Sequence, residues 1–90
     1  MIDKHISIIG GAGHVGLPLA LAFGDKNFKV HLVDTNQKHL NSIKNNKMPF
    51  MEIGAEKILS KCLKKNLFYF EKDLKNLNRS KFLIICIGTP

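Results

Sequence analysis

Ile8-Ile9-Gly10-Gly11-Ala12-Gly13-His14-Val15-Gly16-Leu17-Pro18-Leu19-Ala20 is the stretch on which the reading of this 90-residue chain turns. An apolar, β-rich run (His5–Ile9) leads into it, and a run rich in Leu and Ala at helical spacing, residues 15–23, leads out. A strand therefore ends in a glycine turn and a helix starts at His14 or Val15. Pro18 falls near the end of that helix's first turn, where proline costs little. Within the stretch, Gly11-Ala12-Gly13-His14-Val15-Gly16 spells G-x-G-x-x-G. The first glycine allows a tight turn, the second lets a pyrophosphate meet the backbone without a Cβ, and the third lets helix and strand pack closely. Phosphates would rest on unpaired N–H groups at the positive end of the helix dipole. Gly11, Gly13, His14, Val15 and Gly16 are the candidate phosphate-site residues.

The next landmark lies downstream. Gly24-Asp25-Lys26-Asn27 closes the helix, and Lys29–Val33 reads as a second strand ending at Asp34, 18 residues past Gly16. A carboxylate there can accept hydrogen bonds from the adenosine ribose and would repel a 2′-phosphate, which favours NAD over NADP. Gly10, Gly13 and Gly16 also satisfy G-x-x-G-x-x-G, the spacing of short-chain dehydrogenases and nucleotide-sugar epimerases. The turn by itself does not separate the two readings.

Beyond Asp34 the alternation continues. Thr35-Asn36 is an N-cap before a polar helix with Leu40 and Ile43 on its inner side, which gives out near Asn45-Asn46. Residues 47–54 read as irregular, 55–65 as a helix with Ile58, Leu59, Cys62 and Leu63 on one side, 67–70 as a strand, and 73–78 as a turn or short helix. Residues 82–87 read as a strongly apolar, doubly covered strand. Strands alternating with helices indicate an α/β fold with a parallel sheet.

Composition narrows the class. With 44% apolar and 23% charged residues, the chain is neither disordered, collagen-like nor a disulfide scaffold. Its longest apolar run is far below the roughly 20 residues of a membrane span. Met1–His5 opens no signal peptide, because only four residues of a mostly apolar run follow Lys4. Cys62 and Cys86 lie in apolar periodic segments and read as reduced core thiols of a cytoplasmic protein. The net charge of +7 arises wholly after residue 34, because the three bases before it (Lys4, Lys26, Lys29) match three acids (Asp3, Asp25, Asp34). A basic half of this kind fits either an anionic partner or solubilising helix faces.

The residues also resemble a known family. The stretch from Ile8 to Ala20 resembles the opening of the UDP-glucose/GDP-mannose dehydrogenases, and its Gly16-Leu17-Pro18-Leu19-Ala20 continuation looks most like the UDP-N-acetylmannosamine branch. Val33-Asp34 with Leu40 and Ile43, then Pro49-Phe50-Met51-Glu52-Ile53-Gly54 in place of P-x-x-E-P-G-L, follow in the family's order. Ile84-Ile85-Cys86-Ile87-Gly88-Thr89-Pro90 resembles its fourth strand. The chain departs from the pattern at His14, usually Tyr or Phe, and at Ile53 and Ala55, usually Pro and Leu. His39 stands where the family often has a Lys or Arg touching the adenosine end.

The resemblance implies a partial Rossmann fold: a parallel sheet of about four strands, order 3-2-1-4, with helices on both faces. Residues 1–90 would be the N-terminal part of an NAD-binding domain, the substrate domain lying elsewhere. It implies oxidation of a nucleotide-sugar C6 alcohol to the carboxylate with two NAD, through a cysteine thioester whose residues lie beyond this chain. No catalytic or metal residue is assigned here, and neither Cys62 nor Cys86 matches the nucleophile. Gly11, Gly13, His14 and Val15 would line the pyrophosphate, Gly16 would complete the cofactor-binding turn, Asp34 would hold the ribose, and Thr89 would touch the cofactor near its phosphate-ribose centre. Glu52 would order its loop, cap the helix near Ala55, or meet a ligand. The implied partners are a nucleotide-sugar substrate and further copies of the chain, with neither nucleic acid nor membrane. Two alternatives remain at this level: a short-chain epimerase or reductase, and a small non-catalytic nucleotide- or nucleic-acid-binding module. The last lacks aromatics interleaved with Lys and Arg.

Overall fold

The computed structural model describes residues 5–75 and 80–86. In chain order they form β1 (His5–Ile9), α1 (Gly16–Asp25), β2 (Lys29–Val33), α2 (Gln37–Lys44), α3 (Ala55–Lys64), β3 (Phe68–Glu71) and β4 (Phe82–Ile85). All three strand pairings are parallel, and the sheet runs β3-β2-β1-β4, the order expected from the sequence. Parallel neighbours need a crossover, and α1 supplies the one from β1 to β2, α2 and α3 the one from β2 to β3.

Side chains alternate across each strand, so the sheet has two different faces. Ile6, Ile8, Val30, Leu32 and Phe68 are buried in one cluster with Leu17, Ala20 and Leu21 of α1, Leu40 and Ile43 of α2, and Leu59 and Cys62 of α3. Each such side chain, once buried, contributes about 1.5–3 kcal/mol. The opposite face carries polar groups. His31 Nδ1–H donates to the Glu71 carboxylate at 2.9 Å, and its Nε2 lies 2.8 Å from Nδ1 of His5. The Tyr69 ring stacks on His31 at 4.7 Å. Ser7, on the same face, is hydrogen-bonded to Ser80 as the chain returns towards β4.

The three described helices end by the same device. Asn27, Asn46 and Asn66 follow α1, α2 and α3 with φ of 68°, 62° and 55°. In each case the N–H of the residue after the Asn reaches back into the last turn: Phe28 to Phe23, Lys47 to Ser42 and Leu67 to Cys62, at 2.9–3.1 Å. Asparagine tolerates the left-handed conformation that this closure requires.

Several boundaries differ from the sequence reading. Helix α1 starts at Gly16 rather than at His14 or Val15, and this makes Pro18 its third residue, where no intrahelical acceptor is lost. Helix α3 ends at Lys64, and β3 sits one residue later than expected. The expectation of a doubly covered fourth strand is corrected: β4 is an edge strand with Phe82, Leu83 and Ile85 exposed. Cys86 correspondingly lies just past that strand and is half-buried, not inside a covered strand. The three described helices pack on one face. Of residues 73–78, read as a turn or short helix, 76–78 lie outside the described residues.

Candidate dinucleotide site

The site forms at the carboxyl end of β1 and β2. Gly10 is the turn's left-handed residue, with φ of 82°, and its N–H donates to the Val33 carbonyl at 2.7 Å. The sequence reading gave this turning role to Gly11, whose backbone instead packs against β2: a Cβ there would lie 2.9 Å from the Ile8 oxygen and the Leu32 Cα. A Cβ on Gly10 would fall on the Cys86 carbonyl oxygen, and one on Gly16 would fall on that of Gly10. Gly16 thus allows the close helix–strand approach expected of the third glycine. Gly13 is different, because the nearest atom to its Cβ position is the Gly10 oxygen at 3.4 Å. Its α-carbon faces open space, as a position that receives a ligand should.

The N–H inventory locates the donors. Gly11 N–H goes to Val33 O at 3.3 Å and Gly13 N–H to Gly10 O at 3.1 Å. No acceptor among the described residues takes the N–H of His14, Val15 or Gly16. Val15 caps α1 without any side-chain hydrogen bond, and the helix has no acid in its first turn. The positive end of the helix is therefore open to an anion.

Asp34 sits just after β2, half-buried. One carboxylate oxygen accepts from Ala12 N–H at 3.0 Å and the other from Asn36 N–H at 2.9 Å. Asn36 is the expected cap of α2, its side chain accepting from His39 N–H at 3.0 Å. Asp34 lines a cleft of about 470 Å³ with Gly10 at the start of the glycine turn and with Val33, Thr35, Lys72 and Leu74. The residues after β3 were missed in the sequence. Their signal is position, since the ends of neighbouring parallel strands share one crevice. Cys86 also lines this cleft.

Two further contacts involve the positions that depart from the family pattern. The His14 ring stacks on Phe50 with centroids 4.2 Å apart and planes 20° apart, joining the 49–54 loop to the glycine turn. His39 Nδ1–H donates to the Ala12 carbonyl at 3.0 Å. Glu52 has an exposed side chain, and its carbonyl oxygen rather than its carboxylate meets the start of α3, accepting from Ala55 N–H at 3.2 Å. Thr89 lies outside the described residues.

Among the ionisable groups away from this cleft, Lys61 holds the Asp25 carboxyl below its ordinary value through a 2.9 Å ion pair. Burial pushes the Cys62 thiol up, which makes it an inert core group rather than a nucleophile.

A parallel sheet with a glycine turn, an open helix N-terminus and an acid at the end of the second strand defines a dinucleotide-binding Rossmann unit. The sequence profile of the UDP-glucose/GDP-mannose dehydrogenase family, NAD binding domain, matches residues 4–90. The chain belongs to that family, and NAD is its cofactor. It is 31% identical over 97% of its length to a UDP-N-acetyl-D-mannosamine dehydrogenase of Methanococcus maripaludis, covering 19% of that protein. It is 29% identical over 89% of its length to UDP-glucose 6-dehydrogenase 1 of Arabidopsis thaliana, covering 17% of that protein. The crystal structure of GDP-mannose dehydrogenase from Pseudomonas aeruginosa superposes with a TM-score of 0.88 at 30% identity, over 94% of this chain and 20% of that one. The chain thus spans about a fifth of the length of these relatives. Membership of this family sets aside the short-chain reading of the glycine turn.

Proposed function

We propose that this chain is the N-terminal, NAD-binding part of a nucleotide-sugar 6-dehydrogenase, and that the β1–α1 turn and Asp34 hold the cofactor's diphosphate and adenosine ribose. The observation that carries this reading is that one turn carries unpaired N–H groups at His14, Val15 and Gly16 and is hydrogen-bonded, through Ala12 N–H, to the carboxylate at the end of β2. The first set neutralises phosphate charge, and the second accepts hydroxyl protons and disfavours a 2′-phosphate. Gly11 and Gly16 keep the turn and helix close, Gly13 leaves room for the phosphates, and Thr89 contacts the cofactor from beyond β4.

When bound, NAD accepts the hydride. In the whole enzyme two such transfers convert a primary alcohol, water and two NAD to a carboxylate, two NADH and three protons. The catalytic groups belong to the rest of the protein, and none is assigned among these 90 residues. The relatives' names support a UDP-sugar as substrate. The same reading makes the enzyme a cytoplasmic homo-oligomer. Among the described residues, no helix is long and apolar enough to cross a membrane.

Calorimetric titration of the full-length protein with NAD and NADP tests the site. Asp34→Ala is expected to weaken NAD binding by roughly 1.5–3 kcal/mol, the range for hydrogen bonds to a charged group, and to narrow the preference over NADP. Unchanged NAD affinity would remove Asp34 from the site.

A further inference from the structure

His39 closes a ring of hydrogen bonds that passes through the glycine turn. Ala12 N–H donates to Asp34 at 3.0 Å, and Asn36 N–H donates to the other oxygen of the same carboxylate at 2.9 Å. His39 N–H donates to the Asn36 side chain, and His39 Nδ1–H returns to the Ala12 carbonyl, both at 3.0 Å. Ala12 is therefore held at both ends of its residue: by the β2 acid at its N–H, and by the first turn of α2 at its C=O. A carbonyl oxygen only accepts, so the ring nitrogen facing it carries the proton.

That geometry fixes more than Ala12. The Ala12 carbonyl belongs to the peptide that continues into Gly13, and Gly13 leads directly to the free N–H groups of His14 and Val15. Rotating the Ala12–Gly13 peptide would re-aim those donors. No other donor among the described residues holds this carbonyl.

We infer that His39 is a positioning residue for the cofactor diphosphate: it fixes the Ala12 carbonyl, and through it the donors at His14 and Val15, rather than contacting the adenosine end itself. The inference rests on the proposed placement of the diphosphate at the β1–α1 turn. It makes a side-chain prediction that a contact role does not. In Asn the amide nitrogen stands the same number of bonds from Cα as Nδ1 of His, so Asn can make the same hydrogen bond. Phe keeps the ring but has no donor.

The experiment measures ADP and adenosine affinity by competition with NAD in the full-length protein, for wild type, His39→Phe, His39→Asn and Gly13→Val. His39→Phe is expected to weaken ADP about fivefold, the factor corresponding to one ordinary hydrogen bond, and to leave adenosine within about twofold. His39→Asn is expected to restore ADP binding. In the wild type, ring ¹⁵N shifts are expected to place the His39 proton on Nδ1. Equal loss of ADP and adenosine in His39→Phe, failure of Asn to rescue a folded protein, or a proton on Nε2 each overturns the inference. If Gly13→Val weakens ADP strongly while His39→Phe does not, the turn is the diphosphate site and His39 has no part in it. If neither change affects ADP, the placement of the diphosphate falls, and the role of His39 with it.

Discussion

The β1–α1 turn and the 49–54 loop are both irregular segments that the family pattern marks out, and they are held by opposite means. In the turn the packed material is the backbone itself: Gly10, Gly11 and Gly16 abut main-chain atoms of Cys86, Leu32 and Gly10. In the loop the backbone stands open. Nothing lies within 4 Å of a Cβ built on Gly54, and Met51 and Ile53 are almost fully exposed. One side chain ties it down, Phe50 stacked on His14. A segment made of close backbone contacts tolerates almost no change, whereas a segment hung from one ring tolerates many. The chain's departures follow that division. Ile53, where the family has Pro, meets no neighbour, and the glycines of the turn are all kept.

The largest expected effect comes from forcing a side chain into the turn. Gly16→Val would drive its Cβ into the Gly10 carbonyl, backbone against backbone, and is expected to cost at least about 3 kcal/mol of stability in urea unfolding of the full-length protein. Ile53→Ser, in the loop, is expected to leave the midpoint where it was. Equal midpoints for the two variants would erase the contrast. Gly13→Ala sharpens it from inside the turn, because its Cβ would meet only the Gly10 oxygen at an ordinary 3.4 Å. Stability is expected to hold while NAD affinity falls at least about tenfold, or 1.4 kcal/mol. A loss of stability without a loss of affinity would place Gly13 with the packing glycines.

The same contrast explains what was legible in advance. Backbone-built features leave strong marks in a sequence, because only glycine fits them and because apolar residues must repeat at the period of their element. The helix that follows the turn and the place of Asp34 could both be read for that reason, whereas the strand order came from the family resemblance. Tertiary choices left weaker marks. Which of Gly10 and Gly11 takes the positive φ depends on how near Cys86 comes, and that is set by β4, more than 70 residues away. The order 3-2-1-4 already put the fourth strand at an edge, but the exposure of Phe82, Leu83 and Ile85 did not show in the run itself, because an apolar run reads alike at a sheet's centre and at its edge. His5, His31 and Glu71 meet only when three strands align in register, and nothing local in any one strand predicts it. The positive φ of Asn27, Asn46 and Asn66, which end the three described helices, was likewise not marked by any local pattern.

Smaller effects probe how the loop is attached. Phe50→Leu keeps apolar bulk and removes the stacked ring, and it is expected to cost about 0.5–1.5 kcal/mol, the usual worth of an aromatic pair. A double-mutant cycle with His14→Ala should assign most of that cost to the pair itself. If the two changes simply add, the loop is held by something other than the stack.

The least effect is expected at the point where α3, the helix that follows the loop, is tied back to the end of α1. Lys61 Nζ lies 2.9 Å from the Asp25 carboxylate and 3.0 Å from the Asp25 carbonyl oxygen. The ion pair lowers the Asp25 pKa from its ordinary 3.8, so the folded protein binds that proton less readily than the unfolded chain does. The sign follows from linkage: the stabilisation is present above the ordinary value and disappears as pH falls through the lowered one. Both side chains are substantially exposed, so water and salt screen the pair and the effect is small. Thermal melts between pH 6 and pH 3 of wild type and Lys61→Met should therefore converge at the acid end, with wild type the more stable above about pH 4. A constant gap across that range would mean that Lys61 stabilises α3 through its stem's packing and its bond to the Asp25 carbonyl, with the carboxylate contributing nothing.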